Sequence, residues 1–582
     1  MTMKSRFFKR FAFLAASLAA AMPPAAHAQL LPYGDVSGPT GGDADQVDSG
    51  DEGTEGEGLG SKVSVRGKRS YVTPYIEAQQ VVSAELSPNS DVLTWSTLAA
   101  GVDAGISRRN TQGALSLRYE RRFGWGGGTS DSDAISGVAR ASTAIVPQVL
   151  TIEGGAMAAR LSVENNGAAV TGQAFGDSVS QIYSLYAGPT LQTHVGAVGV
   201  EGHYRVGYSR VEEPSAISLA PGQPRIDVFD DAIVHNAGVH FGTKAGEILP
   251  IGIGIGAGWN REDVSNLDQR IDDKHVRGDV SLPIGSDLQL VGGVGFEDVK
   301  ISSRDALFDT ITGLPIIGSD GRYVTDNSQP RQIAYEADGL IWDAGVMWRP
   351  SKRTALEAHV GKRYGSTSYY GSFAYAPNKA TSINVSVYDN VTSLGGMLTT
   401  GLAGLPTEFE AVRNPLNGDI GSCVAATGTV SGQQSTCLTG ALGSIRSAAF
   451  RGRGVMATLG ISKSALQYGI GAGYDRRRFI AAPGTVLAVA NGVVDENIWL
   501  AAYLNGRIDN ESSFGTTAWA NWYQSGDALS GDTSAVGATA AYYRSISSNL
   551  TATVAVGLQG VNREQLQDVW SAQAMVGVRY SF

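Results

Sequence analysis

Two cysteines, seven histidines and no long apolar run set the first limits on this 582-residue chain. Beyond the N-terminus no stretch approaches the roughly 18 consecutive apolar residues that a membrane-spanning helix needs, which excludes a helical membrane protein. None of the histidines forms HExxH. No CxxC, P-loop or GxSxG motif stands in a strand–turn–helix context, so no catalytic residue, metal ligand or cofactor is expected and the chain does not read as an enzyme. "GGVGFE" and "GIGIGAG" look like phosphate loops only in composition; both lie inside alternating segments, where glycine eases bending or close approach. Positive charge is also short, 45 Lys and Arg against 55 Asp and Glu, which argues against a nucleic-acid partner.

What is present begins with a secretory signal over residues 1–28. Lys4, Arg6, Lys9 and Arg10 precede the short apolar core "FAFLAASLAAAM", and Ala26, His27 and Ala28 fit the small-x-small rule, predicting Gln29 as the mature start. Removing those four cations and no anion takes the formal charge from −10 to −14. Residues 29–70, glycine-rich and acidic with a brief basic end, hold too little apolar surface to fold and are expected to be a disordered periplasmic linker. The cysteines, Cys423 and Cys437, are close in an exported chain and read as a disulfide, worth roughly 3 kcal/mol if the chain-entropy argument applies.

From residue 71 to 582 one pattern repeats. Segments alternate apolar with polar or small residues, as in "GLIWDAGVMWRP", where Leu340, Trp342, Ala344, Val346 and Trp348 oppose Asp343, Gly345, Met347 and Arg349. About 22 such segments occur, within a range of 18–24. The links after even-numbered segments are short ("RRN", "VPQ", "IGS", "PSK"), whereas those after odd-numbered ones are often long, the longest being 302–335 and 392–445. Soluble sandwiches alternate too, but short turns on one rim and long loops on the other belong to an outer-membrane barrel. The expected fold is therefore all-β: a closed antiparallel transmembrane barrel in a Gram-negative outer membrane, embedded in its lipid, with both termini periplasmic. The ending "SAQAMVGVRYSF" supplies its last strand. Tyr580 and Phe582 are expected in the periplasmic aromatic girdle, and this ending resembles the signal read by the barrel assembly machinery, a partner during biogenesis.

The polar faces carry charges of both signs. Arg118, Glu120 and Arg122 share one face; Glu201 and Arg205 another; Arg277 a third. Asp343 and Arg349, Glu357 and Arg363, Asp475 and Arg477, and Arg579 follow. Charge on the lipid face is costly, so these side chains are expected in the lumen, as an ion-pair network bracing a wide wall, as a polar path for a hydrated solute, or as both.

Three stretches, "YVTPYIEAQQVVSAELSPNSDVLTWSTLAAGVDAGISRRNTQGALSLRYERRFGWGG", "PRQIAYEADGLIWDAGVMWRPSKRTALEAHVGKRYGSTSYYGSFAYAPN" and "GAGYDRRRFIAAPGTVLA", together resemble the PEP-CTERM/exopolysaccharide-associated outer-membrane proteins of Gram-negative bacteria. Members of that group often carry the label preprotein translocase subunit YajC, and a translocase accessory role is the third reading it brings. The resemblance covers 71–582 and bears on fold and location more than on activity; the wide lumen of about 22 strands suggests a transport or export conduit, passive, with polysaccharide or a small hydrated solute as cargo. The alternative is a structural or adhesive barrel whose long loops are the functional part. A TonB-type receptor would need a plug domain far larger than residues 29–70. The segment 392–445 is the best substitute: Met397, Leu398, Leu402, Leu405 and Phe409 are apolar enough to fold inward, and Glu408, Glu410 and Arg413 are expected to pair with lumen charges such as Arg118 or Arg477.

Overall fold

The computed structural model describes residues 70–582 except 127–130, 164–167, 171–178, 213–230, 320, 379, 427–435, 438–447, 528–530 and 565; the expected signal, its cleavage site and nearly all of the linker lie outside the described residues. In chain order the strands are β1 (Ser70–Ser87), β2 (Val92–Arg108), β3 (Thr111–Trp125), β4 (Ser132–Val146), β5 (Leu150–Val163), β6 (Ala169–Val170), β7 (Val179–Val195), β8 (Val198–Glu212) and β9 (Asp231–Thr243). There follow β10 (Gly252–Val264), β11 (Gln269–Pro283), β12 (Leu288–Ser303), β13 (Gln332–Ser351), β14 (Thr354–Arg363), β15 (Ser366–Asn378) and β16 (Thr381–Thr392), then helix α1 (Leu394–Ala403). Three short strands come next, β17 (Phe409–Arg413), β18 (Ile420–Ala426) and β19 (Thr436–Cys437). The chain ends with β20 (Ala449–Ser462), β21 (Leu466–Ile480), β22 (Val494–Arg507), β23 (Ser512–Gln524), β24 (Thr533–Ser545), β25 (Leu550–Arg563) and β26 (Val569–Ser581).

Each long strand pairs antiparallel with its neighbours, and β1 pairs both with β2 and with β26, from Tyr75↔Ser581 to Ser87↔Trp570. The 22 long strands thus close a ring with no free edge, and two-residue β6 adds a short pairing above β5. The segments expected from alternation each coincide with one of these strands. The links divide by rim: 109–110, 147–149, 196–197, 352–353 and 463–465 on one side, 213–230, 304–331, 393–448 and 481–493 on the other. Strands about 4.8 Å apart and tilted roughly 40° put a 22-strand backbone ring at a radius of about 22 Å.

Alternation sorts the side chains as lipid requires. On β21 the outward row runs Leu466, Tyr468, Ile470, Ala472 and Tyr474 from the short-turn rim, and only then Arg476 and Arg478. On β12 it runs Leu288, Leu290, Gly292, Val294 and Phe296, then Asp298 and Lys300. On these two rows the apolar belt ends in aromatics and charge appears outside toward the long-loop rim, so the wall continues past the bilayer on that side. Among the described residues no helix is long and apolar enough to cross a membrane, so the crossing is made by strands.

Candidate functional site: a hairpin folded into the lumen

The described part of the link between β16 and β20, residues 393–426, does not extend outward. It enters the barrel from the long-loop rim and lies in the lumen against β3–β9. Ser393 caps α1, its Oγ accepting from the Gly396 N–H at 3.3 Å. The Ser393 N–H donates to Glu262 Oε2 (2.6 Å), and the Thr392 hydroxyl donates to Glu262 Oε1 (2.8 Å), fixing the point of entry. Leu398 and Leu402, one helical turn apart, are both 0% exposed and pack with Leu405, Phe409 and Ile420 against Val138, Met157, Leu161, Ile182 and Val211 of the wall. The wall gives way for them: a Cβ on Gly207 would lie 3.2 Å from Thr399 Cβ.

After α1 the chain descends. Thr407 donates to Gln112 Oε1 (3.0 Å), near the short-turn end of β3, and then the β17–β18 hairpin climbs back. Arg413 donates from Nη1 to Ser136 Oγ (2.7 Å) and from Nη2 to Ser116 Oγ (3.0 Å). At the hairpin turn Leu416 reaches past β3 to the neighbouring arc β24–β26, β1 and β2, packing with Val81, Trp95, Ala541, Ala555 and Met575. Gly418, at φ +69°, lies against the Arg118 guanidinium, where any side chain would collide. Arg122 Nη2 donates to the Asn417 carbonyl (3.2 Å), Arg160 Nη2 to Asp419 Oδ2 (3.1 Å), and Arg140 to the Leu405 carbonyl. The segment therefore runs nearly the depth of the barrel and lines the arc from β24 round to β9.

The charges expected in the lumen are there, mostly tied to one another. Arg118 pairs with Glu77 and, at 3.2 Å, with Glu120; Arg122 Nε donates to Glu120 Oε1 at 2.8 Å. Arg205 and Arg140 share Glu153 at 2.7 and 3.0 Å. Across the lumen Arg277 forms a two-bond fork with Asp343 (2.7 and 2.9 Å), whose second oxygen also meets His359, itself 3.2 Å from Glu357. Arg363 pairs with Asp273 at 2.8 Å, Arg477 with Asp475 at 2.6 Å, and Arg579 with Asp103 at 2.8 Å. Glu201 and Arg349 have the inward parity but form no ion pair among the described residues. Alternation alone does not single out Glu77, Glu153 or Asp273, because only strand register shows which cations they face.

The pairing expected for the inserted segment is corrected. Arg477 pairs with Asp475 of its own strand, and Arg118 meets the Gly418 backbone rather than Glu410. The charged link is Asp419 to Arg160 instead. Glu410 has no hydrogen bond or ion pair among the described residues; burial, reinforced by Asp103, pushes its carboxyl up to about 7. Cys423 and Cys437 are direct register partners across β18 and β19, the separation a disulfide spans, although their side chains lie outside the described residues.

Ring, belt and inserted segment together define a closed β-barrel of the outer-membrane type with a segment folded into its lumen. No family model matches the chain, and no curated protein matches it. Among solved structures it is similar to the FrpB iron transporter of Neisseria meningitidis (F5-1 variant; 10% identity, 87% of this chain and 81% of that one, TM-score 0.41). It is also similar to the ferric-catecholate import receptor Fiu of E. coli K12 (8%, 87% and 81%, TM-score 0.42) and the siderophore receptor PiuA of Acinetobacter baumannii (8%, 87% and 82%, TM-score 0.36). These findings correct the resemblance to PEP-CTERM/exopolysaccharide-associated proteins, which none of the comparisons returns. The YajC label and the exopolysaccharide cargo rested on that resemblance and fall with it.

Proposed function

We propose that this barrel is a gated outer-membrane conduit for a hydrated, polar cargo, closed at rest by its own segment 393–426. The observation that carries this reading is the way the segment is held: an apolar helix face, the Asp419–Arg160 pair and single hydrogen bonds, on a wall that pairs most of its own charges internally. The position of α1 and the hairpin inside the lumen supports a narrowed resting state over a passive open pore. Opening replaces their contacts with water or cargo. In planar bilayers the intact chain is expected to conduct rarely, and a variant lacking 397–440 to conduct steadily. A deletion variant that keeps its folded barrel and stays closed refutes the reading.

The adhesive alternative has one observation of its own. The link 304–331 stands out as a bridged hairpin with Ile311 93% exposed at its tip. Loss of cell attachment on replacing Ile311 and Leu314 by Ser, with conductance of the 397–440 deletion unaltered, would favour that role for the loop.

A further inference from the structure

The structure assigns a second site, on the outside of the barrel: a phosphate-binding platform for a phosphorylated glycolipid of the outer leaflet, built by β20 and β21. Register puts Arg453 directly opposite Arg476 and Arg451 directly opposite Arg478, all four with outward parity. Like charges placed opposite one another across a strand pair repel, and here two successive rungs do so. The neighbouring outward positions relieve this only in part. Asp389, whose side chain is 0% exposed, takes a fork from Arg451 (2.7 and 2.8 Å) and one bond from Arg453 (3.1 Å). Glu496 stands 3.5 Å from Arg476. Arg478 and Lys362 are exposed and have no partner among the described residues. Lys362 faces Thr367, whose carbonyl accepts from Arg453 at 2.7 Å, so it belongs to the same patch. Five cations against two carboxylates leave a surplus of three positive charges, on a chain whose net charge is −10.

Two further features make the patch a built site. Arg451 and Arg453 are held in place by Asp389, by the Thr367 carbonyl and by the rings of Tyr364 and Tyr369, at 5.2 and 5.6 Å. Preformed guanidinium forks suit phosphate oxygens. The depth is also right. The rung below Arg453–Arg476 is Val455–Tyr474, the end of the apolar belt, so the arginines sit at the headgroup level of the leaflet on the long-loop side. Acyl chains would lie along Val455, Ala457, Ile470 and Ala472 while the phosphates meet the arginines. This inference rests on the long loops facing outward, and it is independent of whether the lumen conducts.

The test uses the full chain in detergent with Arg476→Gln, Arg478→Gln and Lys362→Gln combined, which leaves the buried Asp389 paired. The probes are lipid A, lipid A stripped of its phosphates, and phosphatidylglycerol, with bound lipid counted by native mass spectrometry. Retention of lipid A at least tenfold stronger than either other lipid, falling at least tenfold in the triple variant but unchanged in Lys300→Gln, supports the site. Equal retention of dephosphorylated lipid A, a preference for phosphatidylglycerol, or full retention by a folded triple variant overturns it.

Discussion

Shortening the two leucines that seat α1 tests the gate most directly. Leu398 and Leu402 are both 0% exposed, lie on one helix face and contact the same wall cluster. Replacing a fully enclosed leucine by alanine costs about 2–5 kcal/mol, because a cavity remains where the side chain was. Taking about 3 kcal/mol for one site, the ratio of docked to released segment falls roughly a hundredfold, at 1.4 kcal/mol per decade. The two sites touch the same neighbours, so their effects do not simply add; Leu398→Ala with Leu402→Ala is expected to shift the ratio between about 10² and 10⁴. Neither leucine belongs to a barrel strand, so the wall should fold as before and migrate on gels with unchanged heat modifiability. Single-channel recording reads the open fraction directly. If the double variant opens no more than threefold more often than the parent, while the 397–440 deletion conducts, helix packing does not hold the gate shut.

Four further outcomes follow from the same contacts. In a background with both native cysteines changed to Ser, Gly207→Cys with Thr399→Cys should cross-link on oxidation and hold the conduit closed until reduced; opening while oxidised would mean α1 need not leave β8. Glu410, facing Asp103, Tyr71 and Tyr543, has a docked carboxyl value of about 7, above its released one, so docking is strongest below the released value and weakens as pH rises toward 7. More frequent opening at pH 8 than at pH 5, abolished by Glu410→Gln, is expected, and a pH-independent open fraction in the parent contradicts it. A tag within 304–331 should be labelled on intact cells and one within 29–70 should not; the reverse inverts the topology. Tyr580 and Phe582 stack edge to face at 5.1 Å at the short-turn rim, where charge costs only about 0–1 kcal/mol, so failure of the double Asp variant to insert would report recognition by the assembly machinery, and normal insertion would make the ending incidental.

Much of the fold was legible because lipid enforces a period of two. Each outward row must be apolar over about five positions, as in Leu466 to Tyr474, and no tertiary contact can override that. Loop asymmetry added the topology. Membership of the inner wall was also legible for Arg118, Glu120, Arg277 and Asp343, since a charge inside a strand has only one tolerable side. The partners were not. Arg277 meets Asp343 across two strands, and Arg160 meets Asp419 across 259 positions of chain, so both depend on barrel curvature and on how far the hairpin descends. That Leu398, Leu402, Leu405 and Phe409 turn inward could be read from their apolarity. That Arg413 would end on two serines and Glu410 on nothing could not.

The division of labour between wall and hairpin favours a movable segment over a permanent core. Withdrawing the hairpin leaves Arg118 with Glu77 and Glu120, Arg122 with Glu120, and Arg140 and Arg205 with Glu153. Arg160 loses Asp419 but remains 3.8 Å from Glu120. Breaking a buried pair by removing one partner is costly because the other charge is stranded, yet here hardly any charge would be stranded, and the vacated lumen would fill with water. A segment meant to stay would gain by drawing the wall arginines into its own pairs. This one contributes the Asp419 carboxylate and, besides it, carbonyls and serine-bound Arg413, contacts that water replaces at little net cost. The resistance to opening then falls mainly on the apolar face of α1, where the two leucines lie.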